Sequence, residues 1–301
     1  MAATWRRYLE LNRSHGKPFM FHLSRRGFFS ELNMLMNAVI FGLVERRTLV
    51  VREARFNDLR WGDYFATQLP QLNGFTWSDI DAASHVREKS DFFYTLLGWI
   101  RERGHDHFDI PGLDLSGGLI EVRRRLYPMF CSIQPKILSK AQMYMTSNDL
   151  VEGDFCAAHI RRGDKIAKRP KNGRMWSEGD DTPPEKYVEL MRAHAPGTKH
   201  VFVLTDDYWA VEQLKDPSYG LRVSSLCPPE IGGHDQPTFN AQPVEWRRAV
   251  VERLLVETQI AAQSGFFTGG FKSNVARYVA TIHSNPGRCI SADSRTDLAE
   301  E

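Results

Sequence analysis

The heptapeptide HIRRGDK (159–165) concentrates charge directly after the apolar run DFCAA. It holds one histidine, two adjacent arginines, one aspartate and one lysine. An arginine guanidinium presents a planar fork of donors that fits phosphate oxygens. Side chains of adjacent residues at a strand end point to opposite sides, so only one of the two arginines is expected to face a bound anion. The stretch predicts either an anion site at the mouth of a sheet or a charged turn that enters water.

Two further polar stretches follow apolar runs in the same half of the chain. TDD (205–207) comes after VFVL, and TGGFKSN (268–274) is a glycine turn that opens a helix at Ser273 and Asn274. Taken alone, the first is typical of a solvated turn and the second of a helix cap. A glycine turn into a helix also offers backbone N–H groups and the positive end of a helix dipole to an anion. Together with the arginines, these features predict a cradle for a diphosphate.

The elements that position these residues alternate between strand and helix. Three apolar strands are separated by amphipathic helices, which is the pattern of a parallel α/β sheet. The predicted strands are DFCAAHI, KHVFVLTDD and SGFFTGG, and the predicted helices are PEKYVELMRAHA, WRRAVVERLLVETQIAAQ and KSNVARYVATIH. Ligands of open α/β sheets bind at the carboxyl ends of the strands, where all three polar stretches fall. Residues 218–245, rich in proline and glycine, predict a long loop.

The first half of the chain shows the same alternation. A strand at 18–23, a glycine turn, the helix LNMLMNAVIFGLVERR and the strand RTLVVRE form a predicted βαβ unit. Residues 88–148 are predicted to be mostly helical, with breaks at Pro128 and Pro135. A boundary near 147–154 separates the two halves.

Nucleotide motifs of the commonest kinds are absent from the sequence. Neither the dinucleotide fingerprint GxGxxG nor the P-loop GxxxxGK[ST] occurs. The four cysteines, Cys131, Cys156, Cys227 and Cys289, are widely spaced and form no CxxC pair, so a zinc site or a disulfide framework is not expected. Reduced, mostly buried thiols fit a cytosolic setting.

The bulk composition argues against large charged partners. The 301 residues are 42% hydrophobic and 25% charged, and 39 Lys and Arg against 37 Asp and Glu leave a net charge of +2. This balance predicts no nucleic-acid partner and no anionic membrane surface. No apolar run is long enough to span a bilayer, and the N-terminus has no signal-peptide core. A cytoplasmic, bacterial-type protein is expected, although a domain cut from a secretory-pathway enzyme would show the same features.

The polar stretches resemble the signature motifs of the fucosyltransferase superfamily. HIRRGDK resembles the H-x-R-R-x-D motif that α1,6-, α1,2- and protein O-fucosyltransferases share. The segments GFFSELNMLMNAVIFGLVERRTLVV, VFVLTDD and RAVVERLLVETQIAAQSGFFTGGFKSNVARYVATIH resemble the α1,6 branch, which includes the rhizobial nodulation enzymes. The resemblance implies a GT-B architecture, an α/β fold with two Rossmann-like domains facing a cleft. Residues 1–148 would form the acceptor side, and residues 149–301 would hold GDP-fucose.

The resemblance assigns roles at the phosphates and the reaction centre. Arg161 aligns with the arginine that holds the donor β-phosphate, and Arg162 supports it. Ser273 aligns with a phosphate-contacting serine at the start of a helix. Asp164 and Lys165 match the motif and would line the reaction centre.

A second group of residues is assigned to the base and the frame of the donor site. His159 and Glu257 align with positions near the guanine, where the relatives carry an aspartate in place of Glu257. A carboxylate there accepts from guanine N1–H and the 2-amino group. Asp206 and Asp207 match an acidic pair that braces the site, and Asn274 is expected beside the donor phosphates.

One departure from the family pattern concerns the catalytic base. The α1,6 enzymes carry a glutamate a few residues after the arginine motif, whereas this chain has the basic stretch IAKRPKNGR there. Glu178, Asp180 and Asp181 come later, on a predicted flexible loop, and Glu178 is the candidate base. The competing interpretation is a solvated acidic turn before the helix at Pro183.

The sequence therefore predicts an inverting, metal-independent glycosyltransferase that uses GDP-fucose as its donor and a glycan as its acceptor, with α1,6-type linkage. No cofactor is expected, because arginine replaces a metal ion in neutralising the diphosphate. One alternative is an α1,2- or protein O-fucosyltransferase, or a transferase for another GDP-sugar; the glycine in RRGD is closer to the α1,2 branch. An alternative of a different class is a nucleotide-binding module without catalysis.

Overall fold

A computed structural model describes residues 2–53, 56, 58–70, 91–104, 107–171 and 174–298. By their internal contacts the described residues divide into two compact units, one within Met1–Gln134 and the other within Pro135–Glu300. Each unit is built from its own helices and strands.

The first unit contains the predicted βαβ arrangement. Its elements are α1 (Ala2–Ser14), β1 (Gly16–His22), α2 (Phe28–Val44), β2 (Arg47–Arg52), α3 (Asp91–Arg103), β3 (Phe108–Ile110), β4 (Leu115–Gly117) and α4 (Leu119–Phe130). Strands β1 and β2 pair in parallel, with Phe19 opposite Leu49, and α2 connects them. The βαβ unit predicted from the sequence is thus confirmed. Strands β3 and β4, which the helical prediction for 88–148 missed, form a short antiparallel hairpin. Residues 88–90, 105 and 106 of that range lie outside the described residues.

Helix α2 is the centre of this unit. All of its residues except Ser30 and Val44 are buried. A helix that is apolar on nearly every side is a core helix rather than a surface helix. Asn12 of α1 anchors the neighbouring strand β2, because its side-chain amide donates to the Leu49 carbonyl at 3.0 Å and accepts from the Leu49 N–H at 2.8 Å.

Pro128 does not break the chain where the sequence predicts. It lies inside α4, which continues to Phe130. A proline this close to a helix end removes one intrahelical hydrogen bond, and little of the helix remains beyond it to be disrupted. Pro135, in contrast, opens the next helix, as its fixed φ favours.

The second unit contains α5 (Pro135–Ser147), β5 (Cys156–Ile160), β6 (Arg169–Lys171), β7 (Arg174–Trp176), α6 (Pro184–His194), β8 (His200–Thr205), α7 (Tyr208–Leu214), β9 (Arg222–Ser225), α8 (Gln236–Ala241), α9 (Val244–Ala261), β10 (Phe266–Gly269), α10 (Asn274–Ile282) and β11 (Cys289–Ser291). Helix α5 packs on α9, so it belongs to this unit. The domain boundary predicted at 148–149 falls after α5. The predicted loop at 218–245 is wrong in part, because β9 and α8 lie within it.

Five parallel strands form the sheet of this unit, in the order β11-β10-β5-β8-β9. Every residue of the central strand β5 is buried, as expected for a parallel strand covered on both faces. The strand order changes direction between β5 and β10, since β8 and β9 lie on one side of β5 and β10 and β11 on the other. This switch point is where open α/β sheets bind ligands.

Register places the polar stretches together at this edge. Ile160 of β5 lies opposite Thr205 of β8, and His159 lies opposite Gly269 of β10. The residues that follow, Arg161, Asp206 and Gly270, therefore leave the sheet side by side.

Two sequence predictions concern the chain as a whole. All four cysteines are free thiols, and Cys131, Cys156 and Cys227 are buried. Within the described ranges, no helix combines the length and the hydropathy that a bilayer crossing requires.

Candidate active site

Arg161 is the first residue beyond β5, and two carboxylates hold its guanidinium. It donates to Asp164 Oδ1 at 2.5 Å and forms an ion pair with Asp206 Oδ2. Only 18% of the Arg161 side chain is exposed. Burial lowers its pKa, while the charges of Asp164 and Glu178 act in the opposite direction. The result is an oriented cation at the switch point of the sheet.

Asp206 contacts several parts of the site at once. Its Oδ1 accepts the Arg162 N–H at 2.8 Å, and its Oδ2 accepts the His234 N–H at 3.0 Å. The Gly233 N–H donates to its main-chain carbonyl at 2.7 Å. This residue therefore ties the β5 turn to the loop at 233–234.

Arg162 and Asp207 are placed differently from their neighbours. The Arg162 guanidinium pairs with Asp181 and lies 3.5 Å from Gln213 Oε1 of α7. Asp207 is the N-cap of α7, where its side chain accepts the Trp209 N–H at 3.0 Å. Arg162 thus connects the turn after β5 to α7 and to the 178–181 segment. Asp207 lies between β8 and α7, the helix that it caps.

A pocket lies at the carboxyl ends of β5 and β10. It brings together residues from the arginine turn, the acidic stretch after β7 and the turn before α10. Its lining is Arg161, Lys165, Glu178, Gly179, Asp180, Thr182, Tyr187, Gly270, Lys272, Ser273 and Asp293. Four residues that the sequence selected from distant stretches, Arg161, Lys165, Glu178 and Ser273, therefore meet in one cavity.

The start of α10 forms one wall of this pocket. Ser273 is the N-cap residue, and its side chain makes no capping hydrogen bond to the helix. A helix leaves its first amides without carbonyl partners of its own, so this end favours an anion. The glycine-turn argument required free amides before the helix. Two of them are instead occupied, because Phe271 N–H donates to Ser291 Oγ and Lys272 N–H donates to Asp293 Oδ2. Asn274 is the first helical residue and accepts from Arg277 at 2.5 Å.

The acidic segment 178–181 is tied down at each of its carboxylates. Glu178 pairs with Lys165, Asp181 pairs with Arg162, and Asp180 pairs with Lys272 at 2.6 Å. The Asp180 carboxylate also accepts the Ser294 N–H at 3.0 Å. Burial raises the pKa of Asp180, but the hydrogen bonds from Lys272 and Ser294 outweigh it and hold the pKa below its ordinary value. The segment follows the β6–β7 hairpin, and the prediction that it is flexible stays a prediction.

His159 and Glu257 are both buried. The core packs on Cys156, Ala158 and Ile160 beneath α6 and α7, so His159 points to the opposite face of the sheet. Burial and the charge of Arg161 lower its pKa to about 3, which keeps the imidazole neutral. His159 Nδ1 has no hydrogen-bond partner among the described residues.

Glu257 lies on α9 and is 2% exposed. Burial raises its pKa to about 8, and Arg253, whose Nε lies 3.9 Å from Glu257 Oε1, acts against that shift. In the described part of the chain, Oε1 accepts no hydrogen bond. A buried acceptor of this kind normally has a partner. Neither Glu257 nor His159 is among the residues that line the pocket, so their assignment to the guanine stays a prediction.

Among the residues of the site that were not selected from the sequence are Lys272, Asp293 and His234. Lys272 and Asp293 line the pocket, and His234 contacts the arginine turn through its backbone. Lys272 lies inside the stretch TGGFKSN, and its charge was a usable signal. Asp293 and His234 come from segments whose position at the edge depends on β11 and on the loop before α8, which sequence periodicity does not show.

The sequence matches no protein-family model and no curated protein. The fold, however, has solved counterparts. Fucosyltransferase NodZ from Bradyrhizobium is similar with a TM-score of 0.55 and 13% identity, over 88% of this chain and 92% of that chain. A NodZ alpha-1,6-fucosyltransferase co-crystallized with GDP is similar with a TM-score of 0.53 and 12% identity, over 88% of this chain and 91% of that chain. A mutant of Arabidopsis thaliana FUT1 in complex with GDP is similar with a TM-score of 0.50 and 12% identity, over 95% of this chain and 73% of that chain. The chain thus has the mixed α/β fold of fucosyltransferase structures, and the resemblance seen in the motifs is confirmed at the level of the fold.

Proposed function

We propose that this protein is an inverting glycosyltransferase that moves fucose from GDP-β-L-fucose to a hydroxyl of a glycan acceptor. The observation that carries the proposal is the position of Arg161, which lies in the pocket at the sheet's switch point together with the start of α10. A fork of donors beside a helix N-terminus is suited to a diphosphate. The similarity in fold to NodZ, whose structure was solved with GDP, supports the choice of nucleotide.

The reaction is a single displacement. The acceptor oxygen bonds to C1 of fucose as the bond from C1 to the β-phosphate oxygen breaks, so a β-linked donor gives an α-linked product. Arg161 and the positive end of α10 stabilise the negative charge that grows on the leaving GDP. Glu178 lines the same pocket and takes the proton of the acceptor hydroxyl. Asp164, which holds Arg161, and Lys165, which pairs with Glu178, orient these two groups.

The finer features of the proposal follow the family pattern. The guanine is read by Glu257 and His159, and the phosphates contact Ser273 and Asn274. The donor belongs to the second α/β domain and the acceptor to the first, in a GT-B arrangement. An α1,6-type linkage is favoured by the resemblance of the segments around α2 and α10. Arg161 supplies the charge that a metal ion supplies in other transferases.

A ligand panel followed by a turnover assay tests the function. In thermal-shift measurements with GDP, GDP-fucose, GDP-mannose, UDP and ADP, we expect stabilisation by the guanine nucleotides and a further effect specific to GDP-fucose. Release of GDP from GDP-fucose, with and without a glycan, should then be detectable and survive excess EDTA. Binding without any turnover would favour the nucleotide-binding module. A strict requirement for Mg²⁺ or Mn²⁺ would make Asp206 and Asp207 candidate ligands and overturn the metal-free mechanism.

A further inference from the structure

Lys272 is a cation in the pocket to which the family motifs assign no role. It directly precedes Ser273, and its side chain lines the same cavity as Arg161. The side chain is 29% exposed, so the ammonium group is accessible to a ligand in the pocket. Its main-chain N–H donates to Asp293 Oδ2 at 2.9 Å, which fixes the backbone from which the side chain extends.

The charges around this pocket are balanced by the chain itself. Arg161, Lys165 and Lys272 line it, and so do Glu178, Asp180 and Asp293. A diphosphate brings additional negative charge and so has to compete with some of these carboxylates for the cations. The ion pair of Lys272 with Asp180, at 2.6 Å, is a suitable point of exchange, because Asp180 is 38% exposed and lies on an irregular segment between β7 and α6.

Asp293 is less suited to such an exchange. Its Oδ1 accepts from Ser291 Oγ at 2.9 Å and from the Arg295 N–H at 3.0 Å, and its Oδ2 accepts the Lys272 N–H. These bonds engage both of its oxygens with β11, the segment after it and the α10 turn. Asp293 is therefore a structural carboxylate, whereas Asp180 pairs directly with a pocket cation.

We propose that Lys272 is a second diphosphate-binding cation, which exchanges Asp180 for the donor phosphate when the nucleotide binds. This inference rests on the proposed function and deepens it. Arg161 approaches the diphosphate from the end of β5, and Lys272 approaches it from the turn after β10. A diphosphate can bind both cations, whereas a single phosphate pairs with one of them more easily than with both. Lys272 therefore makes the site selective for a nucleoside diphosphate over a monophosphate.

Calorimetric titration with GDP and GMP tests the proposal from both sides of the ion pair. Lys272→Met should weaken GDP by at least about tenfold, the usual value of a charge-assisted hydrogen bond, and GMP by less. Lys272→Arg should retain most of the affinity. Asp180→Asn should tighten GDP binding, because the carboxylate that competes for Lys272 is gone. In the Lys272→Met background, Asp180→Asn should have no effect.

A charge-matched control removes a lysine elsewhere. Lys186 pairs with Glu189 on α6 and is 41% exposed, so Lys186→Met changes the net charge equally and should leave GDP binding unaltered. Equal GDP affinity of Lys272→Met and the parent protein would overturn the proposal. An Asp180→Asn protein that binds GDP no better than the parent would overturn it too. This second test can be made even if Lys272→Met fails to fold. A parent protein that binds no GDP at all would instead refute the proposed function, and the inference with it.

Discussion

Arg161 and Arg162 are neighbours in sequence, but the structure gives them separate environments. Arg161 lines the pocket and is held by Asp164 and Asp206, whereas Arg162 contacts Asp181 and Gln213. Adjacent side chains at a strand end point to opposite sides, which explains why the two guanidinium groups diverge. Conservative changes at the two positions should therefore fail in different ways.

Arg161→Lys keeps the charge but loses the two-pronged geometry. We expect a folded protein with a nearly normal melting temperature and a turnover of GDP-fucose that falls by about 10²–10³, the typical cost of losing a charge-stabilising donor. Arg162→Lys should show part of its damage as a lower melting temperature, because its contacts join the β5 turn to α7 and to Asp181. Parental turnover in Arg161→Lys would favour a charged turn entering water over a catalytic arginine.

Glu257 predicts a pH dependence of nucleotide binding. Its pKa is raised to about 8 by burial, and a carboxylate rather than a carboxylic acid accepts guanine N–H donors. Below the pKa the protein must lose a proton to bind, so GDP affinity should rise with pH by up to about tenfold per unit and level off above about pH 8. The nearby Tyr144 and Cys227 have pKa values of about 12, raised first by burial, and do not titrate in this range.

Glu257→Gln provides the matching measurement for that prediction. The amide keeps the shape of the side chain but replaces one acceptor with a donor. The free energy of GDP binding should therefore weaken by about 1–3 kcal/mol, and the affinity should lose this pH dependence. Ionisation of the terminal phosphate near pH 6 affects both proteins alike. Their difference, measured calorimetrically from about pH 6 to about pH 9, therefore isolates residue 257. Identical profiles for the two proteins would show that Glu257 does not read the base.

At the scale of the element, the turn after β5 depends on Gly163. Its φ of +53° is in the left-handed region, and a Cβ there would lie 2.4 Å from the His234 carbonyl oxygen. The Asp164 N–H donates to that same carbonyl at 2.9 Å. Two segments of backbone thus meet at a point where no side chain fits, and the glycine fixes how the arginine turn lies on the loop before α8.

Gly163→Ala should lower the free energy of unfolding by more than left-handed strain alone, which is of order 1–3 kcal/mol, and should also reduce turnover. Gly220→Ala is the matched control. Gly220 has a φ of +64°, but a Cβ added to it would meet no atom within 4 Å, so its variant carries the strain without the collision. Urea denaturation compares the two. Equal losses of stability would show that the approach of His234 imposes no constraint.

At the scale of the whole molecule, charge is organised locally. The net charge of +2 gives no long-range field of consequence. Within the second unit, cations from two turns and carboxylates from the 178–181 segment meet around one pocket. The chemistry of the protein thus depends on which turns of the sheet are neighbours, rather than on its overall composition.

The amino-acid sequence alone determined the alternation of strands and helices and the placement of polar residues at strand ends. Those features depend on local periodicity, and β5, β8, β10 and α10 form where the pattern predicts. The motif HIRRGDK was also sufficient to select Arg161 as the candidate anion-binding residue, because its chemistry and its place after an apolar strand are both local features.

Only the tertiary structure decided which of these residues lie together. The strand order β11-β10-β5-β8-β9 places the switch point between β5 and β10, and it brings Lys272 to the same pocket as Arg161. The same long-range packing paired Asp180 with Lys272 and set Gly163 against His234. Strand order and turn contacts arise from interactions between residues far apart in the chain, whose energies no local pattern encodes.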